Sequence, residues 1–337
     1  MSTPDVYDVA IVGGAAAGLA AGIYAARDRY RTVILEKNPF VGGQIMMTGQ
    51  IENFPGHAHI KGAALMEQME EQAKGFGAAI LTGQDVRALR RGADGLLELE
   101  VAGPAGGYRA RSVILAPGSR YRHLGVPGEA ELRQAGRVSY CAVCDGPLYR
   151  DKDVLVVGGG NTAVEDAIYV ASQFTRRLIL IHRRQEFRAQ RILVEELYET
   201  ARTKALEIRL DHVLKEIVGD ETGSAIANVV VENVKTGATE SLVVDGVFIL
   251  VGTVPNTQFL HGSVEVDDQG YVVCDPRTLR TSMPGVFVAG DCRRGAAMQL
   301  VTACADGVVA ALQLKEYFVN PEGWAHRLPG EASVRGY

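Results

Sequence analysis

The 337 residues are 47% hydrophobic and 22% charged with a net charge of -5, enough apolar material for two domains with separate cores. That acidic balance excludes a broad electrostatic hold on a phosphate polymer, so nucleic acid is not an expected partner. Five cysteines are too few, and odd in number, for a secreted disulfide framework, and a reducing cytoplasm is the expected setting.

Val9 to Ala26 carries no charge, yet Asp5 and Asp8 stand where a leader needs basic residues. Gly13, Gly14, Gly18 and Gly22 break the run, which reads as a strand (Val9 to Val12), a tight turn and a helix (Leu19 to Arg27). No membrane association is expected. The next strand, Thr32 to Leu35, ends in Glu36, roughly 20 residues beyond the glycines, where a carboxylate accepts hydrogen bonds from an adenosine ribose. That points to FAD or NAD. Ala15 takes the place of the second glycine, and its methyl group crowds the approach of backbone to pyrophosphate. Were that residue left-handed, alanine would cost about 1 to 2 kcal/mol.

Further along, Cys141-Ala142-Val143-Cys144 is followed by Asp145 and Gly146. A CxxC in a chain of this kind reads as a redox pair, with Asp145 the adjacent proton carrier if burial raises its pKa. Zinc is the competing reading, but a closed site needs four ligands and no second pair exists. Cys274, Cys292 and Cys304 stand alone and read as packing residues.

A repeat then appears. Val154 to Val157 leads into Gly158-Gly159-Gly160 and a helix-compatible stretch, Val164 to Gln173, as the first unit did. Each turn brings backbone N–H groups and a helix N-terminus onto one pyrophosphate, so two turns imply two dinucleotide sites. The strand Leu178 to Ile181 ends in His182-Arg183-Arg184, cations where the first unit has its carboxylate. That favours a ribose 2′-phosphate, hence NADPH; a solvated basic turn is the plainer reading. Short β-branched runs alternate with helix-compatible segments from one end to the other, the pattern of an α/β, doubly wound fold built from βαβ units.

These residues carry a family likeness over nearly the whole chain. Gly42-Gly43-Gln44 with Glu52-Asn53-Phe54-Pro55-Gly56, the run Ser139 to Gly146, Gly158 to Glu165, and His182-Arg183-Arg184 with Phe187-Arg188-Ala189 resemble bacterial thioredoxin reductases of the low-molecular-weight kind. Gly252, Pro255-Asn256-Thr257 and Ala289-Gly290-Asp291 continue the match. The resemblance implies two Rossmann-like domains: an FAD domain from residues 1–120 and 251–337, and an inserted NADPH domain, 121–250, carrying the CxxC. It assigns Cys144 to the flavin side, Cys141 to attack on the disulfide of thioredoxin or a thioredoxin-like protein, and Asp145 to acid/base work. FAD would be held by Gly13, Gly14, Ala15, Ala16, Glu36, Lys37, Gly43, Gln44, Asn53, Gly118, Gly290, Asp291, Met298, Gln299 and Leu300. NADPH would be held by Gly158, Gly160, Asn161, Thr162, His182, Arg183, Arg184 and Arg188.

The likeness further implies a cytoplasmic homodimer whose inserted domain rotates about hinges near Ser119 to Gly128 and Val251 to Thr253. Departures are Ala15, Pro117 for a common threonine, Met298 for an arginine, and Cys292 for a valine. The segment Asn320 to Tyr337 runs beyond the family's usual end, without an assigned role. Rival readings are a peroxiredoxin-reducing subunit, a small-molecule dithiol oxidase and a non-catalytic redox sensor. The first would usually carry an N-terminal thiol domain, for which nothing before Val6 leaves room.

Overall fold

The computed structural model describes residues 6–48, 51–103 and 106–324. The chain divides into two compact units, Met1–Arg120 with Val254–Tyr337, and Tyr121–Thr253 between them. Among the described residues the α-helices are, in chain order, α1 (Ala16–Arg27), α2 (Gly62–Gly75), α3 (Glu129–Gln134), α4 (Ala142–Asp145), α5 (Asn161–Gln173), α6 (Arg191–Thr203) and α7 (Leu300–Val319). None is long and apolar enough to cross a membrane.

In the first unit, Val6–Val12 lies between Thr32–Leu35 and Gly107–Leu115, parallel to both, and Ala79–Leu81 extends the sheet past Thr32–Leu35. Val9, Ala10, Ile11, Val33 and Ile34 are wholly buried, because a parallel sheet covered on both faces has no solvent side for polar residues. Gly107–Leu115 shares its far edge: its last residues pair in parallel with Val286–Val288, its first ones antiparallel with Leu97–Val101, which pairs in turn with Val86–Arg91. Leu97–Val101 alternates buried and exposed, as a strand with one wet face does. Helices α1 and α7 cross closely at Gly307, where a Cβ would lie 2.1 Å from the Ala17 carbonyl oxygen. After α7, Trp324 turns back edge-on to Phe287 and Tyr317.

The second unit has a parallel sheet in the order Leu206–Leu210, Arg177–His182, Asp153–Gly158, Gly246–Leu250, Val138–Ser139. Period-two alternation sorts its side chains into two cores. Val154, Val156, Leu178 and Leu180 pack with Ala163, Ala167 and Val170 of α5 and Leu197 of α6. Leu155, Val157, Ile179 and Ile181 face the other way, onto Leu214, Ile217, Val229 and Val231. Those last belong to an antiparallel meander of His212–Gly219, Ile226–Asn233 and Thr239–Leu242.

Two expectations change in detail. The βαβ alternation is interrupted twice by antiparallel strands, at 86–115 and 212–242, where short loops join neighbours that need no crossover helix. Helices α1 and α5 also start earlier than the apolar spacing indicates, at Ala16 and Asn161, because each glycine turn leads straight into its first helical residue. The segment expected to extend past the family's end is described only as far as Trp324; residues 325–337 lie outside the described residues.

Candidate active site and nucleotide cradles

The first cradle begins at the end of Val6–Val12. Gly13 has φ 106°, and a Cβ there would lie 2.2 Å from the Ala116 carbonyl oxygen; one on Gly18 would lie 1.8 Å from that of Gly13. Only glycine allows strand, turn and helix to approach this closely. Ala15 has φ -96° and ψ -166°, extended backbone that any residue adopts. The left-handed cost considered for alanine therefore does not arise, since Gly13 takes the positive φ. Gly160, its counterpart in the second turn, is also extended, at φ -92° and ψ 179°, with nothing within 4 Å of a built Cβ. Both turns present open backbone at a helix N-terminus, the arrangement that holds a phosphate.

Glu36 is buried and ties the first cradle together. One carboxylate oxygen accepts from Gly14 N–H at 2.8 Å; the other accepts from the backbone and side-chain N–H of Asn38 at 2.9 and 2.7 Å. Around it, Gly42 N–H donates to the Gly14 carbonyl at 2.8 Å, a Cβ on Gly43 would sit 3.2 Å from that of Ala15, and Gln44 Nε2 donates to the Ser119 carbonyl at 2.6 Å. Gly290, with φ 77°, donates to Asp306 at 3.0 Å and closes on Ala17. Burial, then the Asp306 charge, push the Asp291 carboxyl up to about 6. Met298 holds φ 55°, an unusual conformation for a side chain of its kind, directly before Gln299 caps and Leu300 opens α7. Ala16 is the buried first residue of α1; Gly118, φ 66°, faces open space; Lys37 and Asn53 are exposed. Sequence reasoning missed Arg293, which grips Asp306 through Nε at 2.7 Å and Nη2 at 3.1 Å and so sets the Gly290 amide.

In the second cradle the four basic candidates separate. His182 is buried, stacks on Phe187 at 5.3 Å between ring centroids, and fills the space a side chain on Gly159 would need, with Nδ1 2.2 Å from that Cβ. Burial lowers its pKa, opposed by the Glu186 carbonyl and helped by Arg188, Arg183 and Arg184. His182 is thus the neutral floor of the turn, while Arg183, Arg184 and Arg188 are exposed and supply the charge. Arg188 N–H donates to the Gly159 carbonyl and Gln190 N–H to Asn161 Oδ1, both at 2.8 Å, so the arginine loop is bound to the turn it succeeds. Thr162 is exposed on the first turn of α5.

The same unit carries the cysteines. Cys141 and Cys144 form a disulfide, S–S 2.06 Å, across the start of α4, and Cys141 Sγ accepts from Cys144 N–H at 3.2 Å. Cys144 is exposed and Cys141 half-buried. Asp145 closes α4, and burial raises its carboxyl above the usual range, partly offset by the Ser139 hydroxyl at 2.6 Å. Beneath, Asp166 of α5 is pushed to about 6 by burial, offset in part by the Ala142 amide.

Behind Cys141 lies a cluster that no motif announced. The buried Glu129 carboxylate accepts from the N–H groups of Leu124, Gly125 and Val126 at 3.2, 2.7 and 3.3 Å, and from the Tyr140 hydroxyl at 2.5 Å. The other cysteines are the packing residues expected: burial pushes Cys274 and Cys304 up to about 11 and Cys292 higher still. Among the described residues no three His, Cys, Asp or Glu side chains converge as a metal site.

The sequence pattern of the pyridine nucleotide-disulphide oxidoreductases matches residues 7–307. A thioredoxin reductase of Mycolicibacterium smegmatis is 40% identical over 96% of this chain and 100% of its own, and one of Peptoclostridium acidaminophilum 39% identical over 93% and 97%. The crystal structure of thioredoxin reductase from Streptococcus pyogenes superposes with a TM-score of 0.84 at 38% identity, covering 94% of this chain and 100% of that one. With two doubly wound units, paired glycine turns and a disulfide beside a buried acid, the chain belongs to the pyridine nucleotide-disulphide oxidoreductases and, among them, to the low-molecular-weight thioredoxin reductases.

Proposed function

We propose that the protein is an NADPH-dependent FAD enzyme that reduces the disulfide of thioredoxin or a thioredoxin-like protein through the Cys141–Cys144 pair, in the cytoplasm and as a homodimer. The observation that carries this reading is an accessible disulfide with a raised-pKa carboxyl beside it, in the same compact unit as the arginine-edged glycine turn. FAD suits the first cradle, where Glu36 Oε2 keeps a lone pair for a ribose hydroxyl and the Gly13–Ala16 backbone is open to a pyrophosphate. NADPH suits the second, where the exposed guanidinium groups of Arg183, Arg184 and Arg188 stand beside the turn, and a planar fork of donors matches a phosphate. A bound flavin would supply the conversion of a hydride into electrons that a disulfide accepts.

The chain's own residues do the rest. Cys141 is the N-cap of α4, and the Cys144 N–H that its sulfur accepts at 3.2 Å is a donor that a thiolate there would keep. Asp145, kept protonated to higher pH than an ordinary carboxyl, has a proton to give to a departing sulfur. Residues 1–120 and 251–337 would form the FAD domain and 121–250 the NADPH domain, with hinges near Ser119 to Gly128 and Val251 to Thr253. Single-cuvette titration tests the proposal. Flavin colour should bleach on adding NADPH and return on adding oxidised thioredoxin. In Cys144→Ser it should bleach and stay bleached. A protein that never takes up flavin, or whose colour returns equally fast in the variant, overturns it.

A further inference from the structure

Ser139 precedes the pair on the edge strand Val138–Ser139 and has no part in the chemistry described above. Its hydroxyl oxygen lies 2.6 Å from Asp145 Oδ2, 3.2 Å from the Cys141 carbonyl oxygen, and accepts the Cys141 N–H at 3.1 Å. A hydroxyl has one proton to donate and two lone pairs. Two acceptors, Asp145 and the Cys141 carbonyl, therefore compete for that proton, and the charge on Asp145 decides between them.

When Asp145 is ionised it accepts, and the Ser139 proton points to Oδ2 at 2.6 Å, the length of a charge-assisted O–H···O⁻ bond. When Asp145 is protonated it donates instead into the free lone pair of Ser139, whose own proton turns to the Cys141 carbonyl at 3.2 Å. The Cys141 N–H occupies the other lone pair in both states. In both states the Ser139 hydroxyl donates one bond and accepts the Cys141 N–H, the Cys141 carbonyl keeps the Asp145 N–H at 3.1 Å, and the change costs only a rotation about one C–O bond.

We propose that Ser139 is the positioning residue for Asp145: it holds the carboxyl in line in both protonation states and tracks the proton by turning its hydroxyl. This rests on the acid/base role proposed for Asp145. In the step it serves, an attacking enzyme thiolate forms a new S–S bond to thioredoxin as thioredoxin's own S–S bond breaks. The departing thiolate takes the proton of Asp145, leaving a thiol and a carboxylate, and the Ser139 hydroxyl swings from the Cys141 carbonyl to Oδ2. No electrons are exchanged beyond those of the sulfur pair.

The groups that act on Asp145 are few. Besides Ser139 there is Tyr149 on the turn after α4, which feels the Asp145 charge. Asp166 of α5 takes the Ala142 amide at the other end of α4 and does not act on Asp145. No cation pairs with Asp145 among the described residues, so the hydroxyl is the one group found to favour its ionised form.

The experiment is the pH profile of kcat for holoenzyme with NADPH and a purified bacterial thioredoxin, in the parent, Ser139→Ala, Ser139→Thr and Asp145→Asn. Loss of the hydroxyl raises the Asp145 pKa, and an acid that must be protonated stays active to higher pH. In Ser139→Ala the alkaline limb should therefore move upward by about one pH unit while the plateau falls roughly five- to tenfold, since a lost hydrogen bond to a charged group weakens the ionised state by about that factor. Ser139→Thr, which keeps a hydroxyl, should restore the parent profile. NADPH-to-ferricyanide turnover, which bypasses the pair, should keep its rate in Ser139→Ala. A limb that survives Asp145→Asn overturns the role of Asp145. A limb lost in Asp145→Asn yet unmoved in Ser139→Ala overturns the role of Ser139 alone, as does an equal fall in thioredoxin and ferricyanide turnover.

Discussion

Asp166 shows what an uncompensated carboxyl costs. It lies at the α4 boundary with a single amide for a partner, and burial raises it to about 6 against about 3.9 in an unfolded chain. Because the folded value is the higher one, its contribution to stability is full below the unfolded pKa and is lost as pH rises through about 6. Asp166→Asn, which keeps an acceptor for the Ala142 amide and cannot ionise, should therefore raise Tm at pH 8 and change it little at pH 4. Thermal melts at the two pH values decide this; an equal change at both removes the titration argument. The sequence made some of these residues legible and hid others. Glu36, Arg183 and Arg184 stand at strand ends, where position along a βαβ unit fixes what they face. His182 belongs to the same run, but whether a side chain at a strand end turns inward depends on the neighbour, and Gly159 leaves room for its ring. Glu129 reads as an ordinary acidic helix start. Its role depends on three amides folding back over it, with Gly125 at φ 72° and Gly128 at φ 80°, which no spacing announces.

At the level of elements, the two glycine turns share their backbone and differ in the strand that comes after each helix. On the proposed reading, specificity would therefore lie at the end of that strand: Thr32–Leu35 leads into the Glu36 carboxylate and Arg177–His182 into Arg183 and Arg184. Replacing Arg183 and Arg184 by alanine should raise the KM for NADPH by two to four powers of ten relative to NADH, taking about 1.5 to 3 kcal/mol per charge-assisted bond. Equal effects on both nucleotides, measured side by side, would remove the 2′-phosphate assignment. The crossing of α1 and α7 bears on the first cradle, since α1 carries the turn at its N-terminus. A methyl on Gly307 would meet the Ala17 carbonyl, and α1 or α7 must shift to admit it. Gly307→Ala should cost about 1 to 3 kcal/mol and lower the flavin retained on purification, read as Tm and flavin absorbance per chain. Only the N-terminal half of this packing was legible: the small residues of α1 show in sequence, whereas their partner lies far along the chain on α7.

On the scale of the molecule, each unit has its own core, and the second is one continuous stretch, Tyr121–Thr253. Expressed alone, that stretch should fold cooperatively, remain colourless and bind 2′,5′-ADP, which calorimetry can test; an unfolded fragment would show that its stability is borrowed. Light scattering of the whole protein should give twice the chain mass. The repeat made the two-unit plan readable in the sequence. The antiparallel strands 86–101 and 212–242 were not, because an apolar alternation of that length fits an edge hairpin and a βαβ strand equally well.

The sharing of Gly107–Leu115 between an early neighbour and a late one has a consequence for how the chain is made. Its C-terminal half stays without its final partner until Val286–Val288 has left the ribosome, and by then the intervening unit has been synthesised in full. For that interval the nascent protein carries an open β-edge of valine, isoleucine and leucine, the kind of template that other chains add to. Synthesis that stalls between residues 253 and 286 should therefore release fragments whose insert is sound and whose N-terminal sheet aggregates.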